Sequence, residues 1–227
     1  MNLAQRYRRP ADLTPTVPVF PLRGVVLLPR AALPFNIFEA RYLKMIDDVL
    51  SGSRLLALVQ PEGNAADEES PDGNLVPLRK TGCVGRLTAY QELDDGRRLI
   101  SVTGIARCEL GAERRGTLPY RVFEASTERF EGDFVPGLGE NEVDREALLK
   151  TLKSYLEARK LKADWGAISR SGNEQLVNSL SVVSPFGPEE KQALLESPTL
   201  KTRAETLVAL AEMDLASSSG NTGSTLQ

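Results

Sequence analysis

An α+β fold, a β-rich half followed by a helical half, is predicted by three observations in this 227-residue sequence. Strand patterns broken by one helical stripe fill the chain through residue 126, apolar residues recur at helical spacing from residue 142, and the Gly/Pro-rich stretch "EGDFVPGLGENE" lies between. Strands followed by helices, in place of alternating βα units, exclude a doubly wound parallel sheet.

The opening "MNLAQRYRRPADL" has no apolar signal region, and Arg6, Arg8 and Arg9 read as a solvated, flexible leader over residues 1–14. Pro18, Pro21, Pro29 and Pro34 then forbid a helix and confine strands to short, edge or bulged pieces. From Phe38 the period changes: Phe38, Tyr42, Met45, Ile46 and Val49 make one helical stripe ending at Ser51-Gly52. "RLLALV" reads as a buried strand, and "PEGNAADEESPDGN" as a mobile acidic loop that lacks the spacing of a calcium-binding EF-hand. "TGCVGRLTAYQEL" and "RRLISVTGIARCEL" flank Asp94-Asp95-Gly96 as a hairpin. On its second strand Ile100, Val102, Ala106, Cys108 and Leu110 should face inward and Ser101, Thr103, Arg107 and Glu109 outward, with Gly104 marking a bulge or tight bend. "YRVFEAS" supplies a further strand.

In the second half Leu148, Leu149, Leu152, Tyr155 and Leu156 line one helix. Leu176, Val177, Leu180 and Val183 line the next, behind a capping box of Ser171 and Glu174. Pro188 opens a third helix, and Leu200, Ala204, Leu207, Val208 and Ala211 stripe a fourth. "SSSGNTGSTLQ" has nothing to pack and reads as a disordered tail. The expected organisation is therefore leader 1–14, β-rich subdomain 15–130, linker 131–141, helical bundle 142–215 and tail 216–227.

Composition narrows the function. A net charge of -3 and a pI near 5.3 leave no basic footprint for phosphates, so nucleic acid is not the expected main partner. The absence of histidine removes Ser-His-Asp and Cys-His catalysis and imidazole metal ligation together. Cys83 and Cys108 read as two buried small hydrophobes of a cytoplasmic protein. No phosphate-binding glycine loop, G-x-S-x-G motif or membrane-length apolar run appears, so no cofactor, metal or membrane partner is called for. Among carboxylates, Glu39 starts a helix where the dipole favours it, and Asp47 and Asp48 lie off the apolar stripe, facing solvent. Arg41 is expected to fold back onto a carboxylate or carbonyl.

Set in order, "VFPLRGVVLLPRAALPFNIFEARY", "GCVGRL", "DGRRLISVTGIARCEL" and "FGPEEKQALLE" resemble the Lon protease N-terminal domain family across residues 15–213, in its stand-alone bacterial form. The resemblance implies a PUA-like β pseudobarrel holding one helix, followed by a small C-terminal helical bundle. It also implies a non-catalytic module that recognises unfolded or degron-bearing polypeptides in protein quality control, in association with an ATP-dependent protease. One departure stands out: family members carry glycine after the Leu-Pro pair, where this sequence has Arg30, so a positive-φ turn there would carry a steric cost.

Leu22, Leu27, Leu28 and Pro34 are the candidates for an exposed apolar rim between barrel and helices, with Arg23 and Arg41 orienting a partner's carbonyls or carboxylates. The alternatives are an RNA- or nucleotide-binding PUA-like protein, or an enzyme with a carboxylate or Ser-Lys centre.

Overall fold

The computed structural model describes residues 3–63, 76–114, 116–159 and 164–220. Among these, six strands form one sheet: β1 (Thr16–Pro21), β2 (Ala32–Ile37), β3 (Leu55–Val59), β4 (Thr81–Glu92), β5 (Arg98–Glu113) and β6 (Val122–Ser126), in the order β2-β5-β4-β3-β1-β6 with β5 also paired to β6. That last pairing closes β6, β1, β3, β4 and β5 into a barrel. β2 is left as an extra strand on the first half of β5.

Each proline falls where it displaces no ladder bond on both sides. Pro18 faces Val122 of β6, while pairing to β3 begins only at Val19, and Pro34 sits on the outermost strand. The barrel interior is lined by apolar side chains from all five strands, including Val17, Ala57, Val84, Ala106 and Phe123. Helix α2 (Ala40–Ser51) packs Tyr42, Met45, Ile46 and Val49 over the opposite face, against Leu56, Leu58, Ile100 and Val102. Phe20 supports that layer from Phe35 (5.5 Å between ring centroids) and Tyr42 (4.6 Å).

The Asp94-Asp95-Gly96 turn forms as expected, with Gly96 at φ 84. Gly104 does lie at a bulge, because Gly85 faces Gly104 while Val84 faces Ala106, so Ile105 is the extra residue. That insertion inverts the alternation beyond it. Ile100 and Val102 therefore belong to the layer under α2, Ala106 and Cys108 to the barrel interior, and Arg107, expected outside, is buried. A Cβ on Gly104 would stand 2.1 Å from the Leu28 carbonyl oxygen, so only glycine lets the 22–31 loop cross there.

Several segments expected to be loose are packed. The leader carries α1 (Leu3–Arg6) and buries Tyr7, whose hydroxyl accepts a 2.8 Å bond from Arg86. The expected linker holds 3-10 turns that bury Asp133 and Phe134. The helical half comprises α3 (Arg145–Ala158), α4 (Trp165–Arg170), α5 (Asn173–Val183), α6 (Pro188–Glu196) and α7 (Leu200–Gly220), and α7 continues past the expected boundary at 215. Its core joins Leu148, Val177, Leu194 and Leu207. Most of the acidic stretch lies outside the described residues.

The capping box does not form. Gly172 is the N-cap of α5, the Ser171 hydroxyl donates to Ala167 O (3.0 Å), and Glu174 turns to Arg30. The two cysteines cannot meet across the sheet, since Cys83 faces Arg107 and Cys108 faces Gly82 on opposite sides of the ladder. Burial pushes the Cys108 thiol up to about 12 against the pull of backbone hydrogen bonds, and burial, with the nearby Cys108 and Asp133, pushes the Cys83 thiol well up, so both stay neutral.

Candidate functional site

The two halves meet across a seam filled with hydrogen-bonded polar side chains. Arg30 stands at φ 64, the left-handed conformation that glycine would adopt without cost. Its guanidinium offsets that cost by gripping both Glu174 oxygens, with Nε 2.8 Å from Oε2, and by donating to the Asp133 carbonyl at 2.7 Å. Arg107 binds Asp133 in the same way, Nε to Oδ2 at 2.9 Å and Nη2 to Oδ1 at 2.8 Å, and Asp133 Oδ2 also accepts the Arg107 backbone N–H. The remaining Arg107 donor reaches Ser197 O at 2.6 Å, and its plane lies 4.7 Å from the Phe130 ring centroid.

Three amides complete the layer. Gln60 donates to Gln192 Oε1 (3.0 Å) and Pro188 O (2.9 Å), and Gln192 donates to Thr81 O (3.1 Å). Asn178 donates to Pro29 O and accepts from Arg203. Burial, aided by nearby Arg107, lowers Arg203 to about 10. Lys191, 2 % exposed, donates to the Ser181 and Val182 carbonyls at the end of α5, and burial lowers it to about 8.

Of the expected rim, Leu27 and Leu28 are 0 % exposed and cannot touch a partner. Gly85 and Gly104 make room for them within the core, which is the stronger pull on two adjacent leucines. Leu22 is half-buried against that core, its N–H on Val59 O. Arg23 is half-buried with its guanidinium on the Gly63 carbonyl. Arg41 folds back onto Glu39 (2.9 Å) and over Tyr42, 4.8 Å from its centroid. Asp48, expected in solvent, accepts from Lys44 (2.5 Å) and Tyr120 (2.8 Å), which in that order hold its carboxyl low, while burial and Asp48 push the Tyr120 phenol up to about 12. Pro34 alone of the six is exposed.

Around Pro34 lies a surface that sequence reasoning missed. β2, the first half of β5 and the last third of β4 project beyond the barrel as a three-stranded blade. Its outer face carries Pro34 and Asn36, then Leu99 and Ser101, then Ala89 and Gln91, matched by register. None is charged, in a chain 26% charged. Phe38, expected to anchor the core, is 66 % exposed at the end of β2, and Leu99 is 40 % exposed. Phe38 fell on the helical stripe by spacing, but the helix begins two residues later, so its side chain keeps the alternation of the strand.

A second apolar crevice opens within the helical half, lined by Leu148, Leu152, Tyr155, Leu180, Phe186 and Leu207. A groove of about 810 Å³ runs between the Arg9–Pro15 segment and residues 125–131. Among the described residues no group of three or more His, Cys, Asp or Glu side chains is arranged to hold a metal, and no helix is long and apolar enough to cross a membrane.

Residues 16–212 match the family of the ATP-dependent protease La (LON) substrate-binding domain. The Lon protease of Desulfosudis oleivorans is 33% identical over 95 residues, covering 42% of this chain and 11% of the protease. That of Flavobacterium johnsoniae is 27% identical over 207 residues, covering 86% of this chain and 24% of the protease. The chain thus spans at most about a quarter of the length of these relatives. The Lon N-terminal domain protein from Xanthomonas campestris superposes with a TM-score of 0.58 at 21% identity, over 87% of this chain and 98% of that one. The N-terminal domain of the Mycobacterium avium complex Lon protease gives 0.60 at 18% identity, with the same two coverages.

Proposed function

This chain belongs to the LON substrate-binding domain family, and from that premise we propose that it binds unfolded or degron-bearing polypeptides without cleaving them. The observation that carries this reading is the blade. Its outer face is uncharged and partly apolar, with Phe38 and Pro34 exposed and Leu99 40 % exposed. Weak, sequence-tolerant capture needs that kind of surface, because exposed apolar area attracts any client that displays the same, and the absence of fixed charges rejects none by sign.

An ATP-dependent protease is the partner through which such binding would reach proteolysis, since the relatives that share this domain are Lon proteases. Leu22, Arg23, Pro34 and Arg41 remain candidate contacts, with Pro34 on the blade, Arg41 in the first turn of α2 just after it, and Leu22 and Arg23 after the end of β1.

The test is fluorescence anisotropy with a labelled, permanently unfolded polypeptide such as reduced and alkylated lactalbumin. Saturable binding at tens of micromolar protein, without loss of intact polypeptide on a gel, is expected. A flat titration through that range would refute the reading.

A further inference from the structure

Closing a barrel removes strand edges, and here it removes them from every strand except those of the blade. The two free edges there differ. The last residues of β4 carry a register shift between Leu87 and Ala89 and end at Glu92 in the Arg98 ion pair, so a bulge and a charge disrupt that edge. Among the described residues β2 is bonded only to β5 along its whole length, with no register shift over six consecutive pairs, Ala32 with Thr103 to Ile37 with Arg98. From Ala31 to Phe38 it carries no charge, and Pro34 is its one protective device.

The side chains along β2 are also those of a strand that lacks a neighbour. Pro34 and Asn36 on one face are exposed, while Leu33 and Phe35 on the other are only half-buried at the margin of the layer under α2. A further strand would cover Leu33 and Phe35 with alternate side chains and lay the others beside Asn36 and Phe38. The charges that bracket this stretch are already satisfied, Arg30 by Glu174 and Arg98 by Glu92. A neutral segment therefore fits between them, whereas a charged one would be desolvated without a partner.

We propose that the open edge of β2 is a strand-addition site for an extended, uncharged polypeptide segment with alternating apolar side chains, held by main-chain hydrogen bonds. This rests on the polypeptide-binding reading above and gives it a place and a geometry. A second copy of the chain is the weaker occupant. Two β2 edges paired about a two-fold axis would bring two prolines to the middle of a six-residue strand and lose two donors there, where a foreign strand meets only one.

The experiment uses the full chain and a labelled peptide, acetyl-Thr-Val-Thr-Val-Thr-Val-Thr-amide, with two derivatives N-methylated on alternate residues. A strand bonds a sheet edge with every second amide, so one derivative should lose at least about tenfold in affinity and the other should bind like the parent. Asn36→Lys should weaken the parent peptide at least about tenfold, and Pro34→Ala, which restores a donor, should tighten it about threefold. Circular dichroism and a melting curve establish that each variant is folded, and Pro34→Ala carries the test if Asn36→Lys is not.

Equal binding of peptide and alkylated lactalbumin to wild type and both variants would overturn the site while leaving polypeptide binding intact. Binding of neither to wild type would overturn both. A wild-type dimer in sedimentation, dissociated by Asn36→Lys, would assign the edge to a second copy and overturn the proposal.

Discussion

The seam and the blade invert the usual placement of charge. At the seam, Arg107 and Asp133 are paired with side chains 7% and 9% exposed, and Arg30, Glu174, Lys191 and Arg203 are largely withdrawn from water. On the blade, Leu99, Phe38 and Pro34 are exposed, and their register partners on the outer face, Asn36, Ser101, Ala89 and Gln91, carry no charge. Burying ions is costly unless geometry and hydrogen bonds compensate, so the seam gains little over an apolar one in stability but fixes a single orientation of the two halves. Leaving apolar atoms in water is also unfavourable, and what it preserves is an unobstructed surface. The same composition therefore yields one region that admits a single arrangement and another that is open to many partners.

Breaking the seam gives the largest expected effect. Asp133→Ala should destabilise the protein by about 4 kcal/mol in urea unfolding, because it strands the buried Arg107 guanidinium. Arg107→Met combined with Asp133→Leu should recover much of that loss, and a double mutant as unstable as the single one would show that no uncompensated charge is involved.

The next effect is a pH dependence. Lys191 is lowered in the folded state, so its penalty is fully present below about pH 8 and is relieved as pH rises from there toward its unfolded pKa of about 10.5. Stability should therefore rise across that window, by up to about 3 kcal/mol from this residue. The raised thiols of Cys83 and Cys108 oppose the rise above about pH 9. The difference between wild type and Lys191→Met isolates the lysine, and parallel pH profiles would rule out its contribution.

Arg30 separates strain from clamping. Arg30→Ala loses the Glu174 grip and keeps the strain of the left-handed backbone, while Arg30→Gly loses the grip and the strain together. The alanine variant should be less stable than the glycine variant by about 1 kcal/mol in urea unfolding. Equal stabilities would mean that the turn relaxes when the clamp is gone. On the blade, Ser101→Lys should change stability by no more than about 0.5 kcal/mol, since nothing there depends on its side chain being neutral. A larger loss would mean that the face is covered.

Much of the fold was legible residue by residue. The α2 stripe, the Asp94-Asp95-Gly96 turn, Pro188 at the start of α6 and the edge role of Pro34 follow from local periodicity and turn chemistry. Gly104 announced its bulge, and carrying the inverted phase past it would have placed Arg107 indoors. The site was less legible. Leu27 and Leu28 look like surface residues in a proline-rich loop until Gly85 and Gly104 are seen to admit them. Ser171 and Glu174 have capping-box spacing, and only the nearness of Arg30, 144 positions away, explains why Glu174 turns elsewhere.

The sequence by itself determined the elements, because helical and strand periods and turn residues act through neighbours a few positions apart. The tertiary structure alone decided which charges are buried and which apolar residues are exposed. Gln60 with Gln192 spans 132 positions and Arg107 with Asp133 spans 26. Before the chain closes, an arginine destined for the seam and one destined for water present the same side chain, and only the partner brought from far along the chain makes burial tolerable.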